Sequence, residues 1–389
     1  MAYDDRELRR RLHQAAEVIV VPDRPLRRRS RAFPILAGAA ATALVLVVAV
    51  AVGQYLGGRR DQPGAVATSP TPTASLSPSA TPSATSTASP TATATSSAKS
   101  PSISLPTMAQ ISAPSGDVVW ALVAQGYLFR SMDRGASWEL RPLPAPVVNA
   151  EIAFVNEREG WISAVGSPAT QCQSQSIALW HTADAGANWD RLTPTGIADA
   201  QCKGQLSFVD ANHGFVVAAA PQQKPVIYRT ADGGRTWSAS RPLADPPGVT
   251  TTPGGPNLQP GRVRGFGSVL LVPVAGPGAG ASAAQYVYRS TDAGASWSYA
   301  ATAANADGFL ALVTDTRWLL IVLPGPSQET TDGGKTWHAY QSDYSQAAPI
   351  PPDVVFADAS VGYATVRGSI QRTLDGGAHW TSIKTPGTG

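Results

Sequence analysis

The chain has 389 residues and a formal net charge of +3, with only 15% charged residues, 36 Gly and 33 Pro. Ordinary globular chains carry roughly 25% charged residues, and this Gly/Pro-rich, Glu/Lys-poor mixture suits turn-rich β structure rather than helices. Residues 1–60 hold eleven Arg against five acids, leaving 19 bases against 22 acids in the remainder, so the large domain lacks the basic stripe that nucleic-acid binding requires and no nucleic-acid partner is expected.

Residues 1–32 read as a cytoplasmic, Arg-rich tail. Asp4 and Glu7 form a helix-start pair, and Leu8, Leu12, Ala15 and Ile19 fall on one face of a short amphipathic helix ending near Pro22. Such a segment suits the surface of an anionic membrane, or alternatively a cytoplasmic docking partner.

Residues 33–53 (FPILAGAAATALVLVVAVAVG) have Thr42 as their only polar side chain, and Tyr55 follows at interface height. At about 1.5 Å per residue, 21 helical residues cross the ~30 Å hydrocarbon core. A transmembrane helix is therefore expected over 33–55. With nine Arg before the run and only Arg59 and Arg60 closely after it, the N-terminus is expected in the cytoplasm and the rest outside, as a single-pass protein of the cell membrane.

Residues 56–107 form the expected linker. From Ala67 to Ser102 every residue is Ser, Thr, Pro or Ala except Leu76 and Lys99. That stretch has nothing to bury and reads as a disordered, Pro-stiffened stalk.

Residues 108–389 carry one octapeptide six times: SMDRGASW (131–138), TADAGANW (182–189), TADGGRTW (230–237), STDAGASW (290–297), TTDGGKTW (330–337) and TLDGGAHW (373–380). The aspartates are Asp133, Asp184, Asp232, Asp292, Asp332 and Asp375, at intervals of 51, 48, 60, 40 and 43 residues. The tryptophans are Trp138, Trp189, Trp237, Trp297, Trp337 and Trp380. Each octapeptide lies between short alternating strands and so reads as a hairpin turn: Asp accepts backbone N–H groups, Gly permits positive φ, and Trp supplies area for packing between blades. FVNEREGW (154–161), FVDANHGF (208–215) and FADASVGY (356–363) repeat upstream of boxes. They give each unit an inner and a second strand, completing a four-stranded propeller blade. The expected fold is an all-β, six-bladed β-propeller; a seventh, degenerate blade would have to fit in the loop-like interval between boxes three and four.

These octapeptides resemble the Asp-box (BNR) repeats of sialidases, sortilin-type receptors and photosystem II assembly-factor-like proteins, and the Phe-x-Asp…Gly-aromatic element is most similar to the last two. The resemblance covers about 108–389. It implies a sialidase-like fold but not one activity, because Asp boxes occur in hydrolases and non-enzymes alike.

Three long insertions (166–176, 242–261 and 274–285) are expected on the face opposite the boxes, and that face is the expected binding face. Cys172 and Cys202 fall there together, and in an exported domain they are expected to pair. The bond would stabilise by roughly 3 kcal/mol.

A sialidase-like site implies three clamping arginines, a Tyr–Glu pair and an acid/base Asp, and this arrangement is not found. Arg130, Arg229, Arg289 and Arg372 sit beside boxes in four blades and read as a structural pattern of strand three. Arg262 and Arg264 are the cations expected to enter the channel, with Glu151 and Lys203 as nearby binding candidates. The five His show no metal-ligand spacing, so no metal or cofactor is expected. The reading is a non-enzymatic binding or scaffolding module for an envelope protein or glycan. The alternative is a glycoside hydrolase with a diverged site.

Overall fold

The computed structural model describes residues 101–388, apart from 167–171, 173, 221–222, 253, 279–282, 307, 324, 347–349 and 351. The expected tail, the membrane span and the linker up to residue 100 lie outside the described residues. Among the described residues no helix is long and apolar enough to cross a membrane.

Six antiparallel sheets, each built from consecutive strands, form the blades of a propeller. Blade 1 comprises Ala109–Ser112, Val119–Val123, Tyr127–Ser131 and Glu139–Arg141. Blade 2 comprises Ala150–Phe154, Gly160–Val165, Ile177–Thr182 and Asp190–Leu192. Blade 3 comprises Cys202–Phe208, Gly214–Ala219, Val226–Thr230 and Ser238–Ala239. In blade 4 the inner strand is split into Gln259–Pro260 and Arg264–Phe266, followed by Val269–Pro277, Ala283–Ser290 and Ser298–Thr302. Blade 5 comprises Phe309–Leu312, Trp318–Ile321, Ser327–Thr330 and His338–Tyr340, and blade 6 Asp353–Phe356, Gly362–Val366, Ser369–Thr373 and Thr381–Ile383. Every strand between boxes three and four belongs to blade 3 or blade 4; among the described residues, segment 242–261 holds only Gln259–Pro260, the first half of the blade 4 inner strand, and no seventh sheet. One expected insertion is corrected: much of 274–285 is ladder, with Ala275 opposite Gln285 and Pro277 opposite Ala283, so the hairpin is lengthened rather than looped out.

Every box joins strands three and four through one hydrogen-bond scheme. In the first, Ser131 Oγ donates to Asp133 Oδ1 (2.7 Å) and accepts the Gly135 N–H (2.8 Å). Asp133 Oδ1 also accepts the Ser137 N–H (2.8 Å), and Oδ2 accepts the Ser137 hydroxyl (2.6 Å). Box seven-position residues Asn188, Thr236, Ser296, Thr336 and His379 fill the same role toward their own aspartates. The position that looks variable in sequence therefore always supplies a side-chain partner. The fifth-position glycines have positive φ, from 73° at Gly186 to 99° at Gly234, where a Cβ would be strained.

The second motif explains its own spacing. Phe154, Phe208 and Phe356 stand opposite Gly160, Gly214 and Gly362 across the inner hairpins. A Cβ on those glycines would approach the ring to 2.1, 2.4 and 2.7 Å, so the ring occupies the space of the missing side chain. Asn156, Asp210 and Asp358 close the turns by accepting two backbone N–H groups each.

The core lies between blades. Trp120 stacks on Phe154 and Trp161 on Phe208, each with centroids 3.7 Å apart. Box tryptophans Trp189, Trp237 and Trp380 meet the inner-strand Phe of their own blade edge-on. The ring closes without strand exchange: Ile111, Val119 and Phe129 of blade 1 share a core with Val361, Tyr363 and Ile370 of blade 6. Ile103 donates its N–H to the Gly387 carbonyl at 2.9 Å beside this seam.

Candidate functional site

The centre of the ring differs at blade 4. Pro260 pairs with Val274 and Arg264 with Leu271, so four steps along the inner strand oppose three along its neighbour. That is a β-bulge of one residue. Pro273 lies opposite it and its carbonyl accepts the Gly261 N–H (2.8 Å). A residue's N–H and C=O point to the same side of a strand, so the donor that proline lacks is missing on that side. The bulge forms where the ladder cannot be completed, and it places Arg262 and Arg264 at the channel.

Both arginines line a cavity of about 190 Å³ with residues such as Ser112, Pro114, Val155, Val209 and Ala357. Most of that lining comes from the ends of the inner strands, next to the turns that lead away from the channel. Those turns are hydrogen-bonded to the boxes, as in Ala185 N–H to Arg158 O (2.7 Å) and Gly376 N–H to Ser360 O (2.7 Å). The cavity therefore lies toward the box end of the ring.

Arg262 Nη1 is 3.1 Å from Asp353 Oδ2, linking blade 4 to blade 6. Burial works against its charge, but Asp353 and Glu151 more than offset that and hold it above the ordinary arginine value. Arg264 donates to the Phe356 carbonyl, also on blade 6, and forms no ion pair among the described residues. Burial, reinforced by the like charge of Arg262, pushes its pKa down to about 10, so it remains a cation at neutral pH.

Glu151 and Lys203 have structural partners. Glu151 Oε1 and Oε2 accept the N–H groups of Gln205 (3.0 Å) and Leu206 (2.6 Å), joining blade 2 to blade 3. Gln205 sits at φ 60° in a second one-residue bulge, since Phe215 faces Ser207 while Val217 faces Gly204. Lys203 is buried, and its Nζ donates to the carbonyls of Gln175, Asp199 (3.1 Å) and Gln201 (2.8 Å). Burial lowers its pKa, and Asp199 opposes that in part. This lysine holds the loop beside the Cys172–Cys202 disulfide, whose Cα atoms are 4.7 Å apart.

Two of the strand-three arginines also serve the frame. Arg130 reaches the Glu157 carbonyl on blade 2 (3.2 Å), and Arg372 the Arg134 carbonyl on blade 1 (2.8 Å). The box aspartates are consumed within their turns, which hold Asp133, Asp184, Asp232 and Asp375 down to a pKa of about 2, and Asp292 and Asp332 lower still. Among the described residues no cluster of His, Cys, Asp and Glu could hold a metal ion.

Residues 97–240 match the model of the photosynthesis system II assembly factor YCF48 family, and residues 328–339 match the BNR/Asp-box repeat. The chain is an Asp-box repeat β-propeller. A curated relative of this propeller, the chloroplastic photosystem II stability/assembly factor HCF136 of Arabidopsis thaliana, is 31% identical over 122 residues. That match covers 29% of this chain and 26% of the relative, so the propeller chain spans about a quarter of that protein's length. Among solved structures, YCF48 from Cyanidioschyzon merolae is 17% identical with a TM-score of 0.44, over 73% of this chain and 87% of that one. YCF48 bound to D1 peptide is 17% identical with a TM-score of 0.41, over 73% and 88%. A Trypanosoma rangeli sialidase in complex with 2,3-difluorosialic acid is 14% identical with a TM-score of 0.42, over 63% and 48%. Likeness at these identities concerns no more than the fold.

Proposed function

We propose that this propeller is a non-enzymatic binding module, anchored in the cell membrane by residues 33–55 and presented outside the cytoplasm to an envelope protein. The observation that carries the binding reading is Arg264: a guanidinium in the wall of a small cavity, bonded to one backbone carbonyl and to no carboxylate among the described residues. A partner's acidic side chain or chain end would supply the missing counter-charge. The assembly-factor match over 97–240 supports a protein rather than a glycan as partner. The partner's place is the box end, where the cavity lies, and not the opposite face expected from the insertions. The disulfide supports an oxidising compartment.

A hydrolase reading requires free acid, base or nucleophile groups at the channel, and both Glu151 oxygens are already engaged by backbone amides. The test is chemical cross-linking of the full chain in its own membranes, comparing wild type with Arg264→Met. Partner protein cross-linked by wild type and lost in the variant is expected. Equal cross-linking in both sinks the Arg264 reading. Glycoside hydrolysis by wild type that Glu151→Gln abolishes establishes the enzyme instead.

A further inference from the structure

Among the described residues, all seven exposed large apolar side chains lie in 101–148 or 350–388, and none in the two hundred residues between. Scattered apolar exposure is normal, but its confinement to one sector of a ring marks an interaction surface. Met132, Leu374 and Ile350 belong to the boxes of blades 1 and 6 and to the connection into blade 6.

The other four form an arc at the opposite end from the boxes, over blades 6, 1 and 2. Gly368, in the turn between strands two and three of blade 6, lies under the Leu105 side chain. The Thr107 N–H bonds Arg367 O in that turn (3.1 Å). Met108 accepts the Ala124 N–H (2.8 Å) at the equivalent turn of blade 1, which leads into Tyr127. Gln125 in the same turn accepts the Ala150 N–H (2.8 Å), two residues beyond Val148. Met108 and Val148 are 67% and 72% exposed. Two bases border the arc: Arg367, and Lys384, whose neighbour Thr385 donates its hydroxyl to the Gly368 carbonyl (2.6 Å). Both are exposed, and neither forms an ion pair among the described residues.

We infer that this arc rests on the anionic surface of the bilayer, with Leu105, Met108, Tyr127 and Val148 in the headgroup region and Arg367 and Lys384 against lipid phosphates. The inference rests on the membrane-anchored reading. The chain from residues 33–53 reaches the propeller at this arc, since residues 105–108 are part of it. A tether holds a domain at high effective concentration near its anchor, so a small apolar area with two cations suffices. Contact here leaves the box end, with its channel cavity, facing away from the membrane.

The test uses the full chain reconstituted in vesicles of phosphatidylcholine alone or with phosphatidylglycerol, read by hydrogen exchange. Amides at 105, 107, 108, 124–127 and 147–149 are expected to exchange severalfold more slowly on the anionic vesicles. The Arg367→Glu/Lys384→Glu variant is expected to remove the difference, with the box amides unchanged as a control on folding. Identical exchange on both vesicles overturns the inference. So does protection that follows protein density instead of lipid charge, which would assign the arc to a second copy. Release of the chain by alkaline carbonate would refute the anchoring alone.

Discussion

The indole of Trp120 on blade 1 lies within 4° of parallel to the ring of Phe154 on blade 2, centroids 3.7 Å apart, while Phe154 also fills the space above Gly160. One phenylalanine thus fixes both its own hairpin and the contact with the preceding blade. Gly160→Ala is expected to destabilise by about 1–3 kcal/mol through overpacking, in a site closed by rings on both sides. Denaturant titration of Gly160→Ala, Phe154→Leu and the double variant checks it. The double variant should lose less than the sum, because the smaller side chain makes room for the methyl.

Acid should act through the boxes. The Ser137 hydroxyl is the main cause of the low Asp133 pKa; for Asp232 and Asp375, hydrogen bonds outweigh a burial effect of opposite sign. The folded value of about 2 lies below the ~3.9 of an unfolded aspartate. The stabilisation is therefore complete only above pH ~5, well above the unfolded value, and is lost as pH falls toward 2. Denaturation midpoints should be flat from pH 7 to ~5 and then fall with increasing steepness. A profile that declines from pH 6 would contradict this.

Thr336→Val removes the hydroxyl that donates to Asp332 Oδ2 at 2.6 Å and keeps the shape. A lower denaturation midpoint is expected, together with a weaker acid dependence. Equal stability to wild type would show that this position tolerates any side chain.

Glu151→Ala should cost more than Arg262→Ala. The first leaves the N–H groups of Gln205 and Leu206 without their acceptors at a bulge, worth roughly 2 kcal/mol or more. The second breaks an ion pair whose Asp353 partner remains 44% accessible, and such pairs contribute under about 1 kcal/mol. Comparative thermal unfolding decides the order.

Reducing the Cys172–Cys202 bond, which spans 30 residues, should cost about 3–4 kcal/mol on the chain-entropy account. Lys203 and Gln175 still tie the two segments by hydrogen bonds, so the reduced protein should remain folded at room temperature. Thermal unfolding with and without a reducing agent measures the loss.

The sequence by itself determined the blades. Six aspartate-centred turns and the Phe…Gly-aromatic spacing describe contacts within one hairpin, where residues a few positions apart must meet whatever the rest of the chain does. It also pointed to Arg262, Arg264, Glu151 and Lys203 by charge. Their partners belong to tertiary structure. Asp353 lies 91 residues from Arg262, the Phe356 carbonyl 92 from Arg264, and the amides held by Glu151 54 and 55 residues away. Only the packing of whole blades around the ring brings such groups together. The packing of blade 3 against blade 2 made Glu151 part of the frame, the loops around the disulfide did the same for Lys203, and a proline on the neighbouring strand opened the bulge that leaves Arg264 at the channel. The exposed arc has the same origin: Leu105 meets Gly368 because the first and last blades must pack to seal the ring, and no local pattern encodes that meeting.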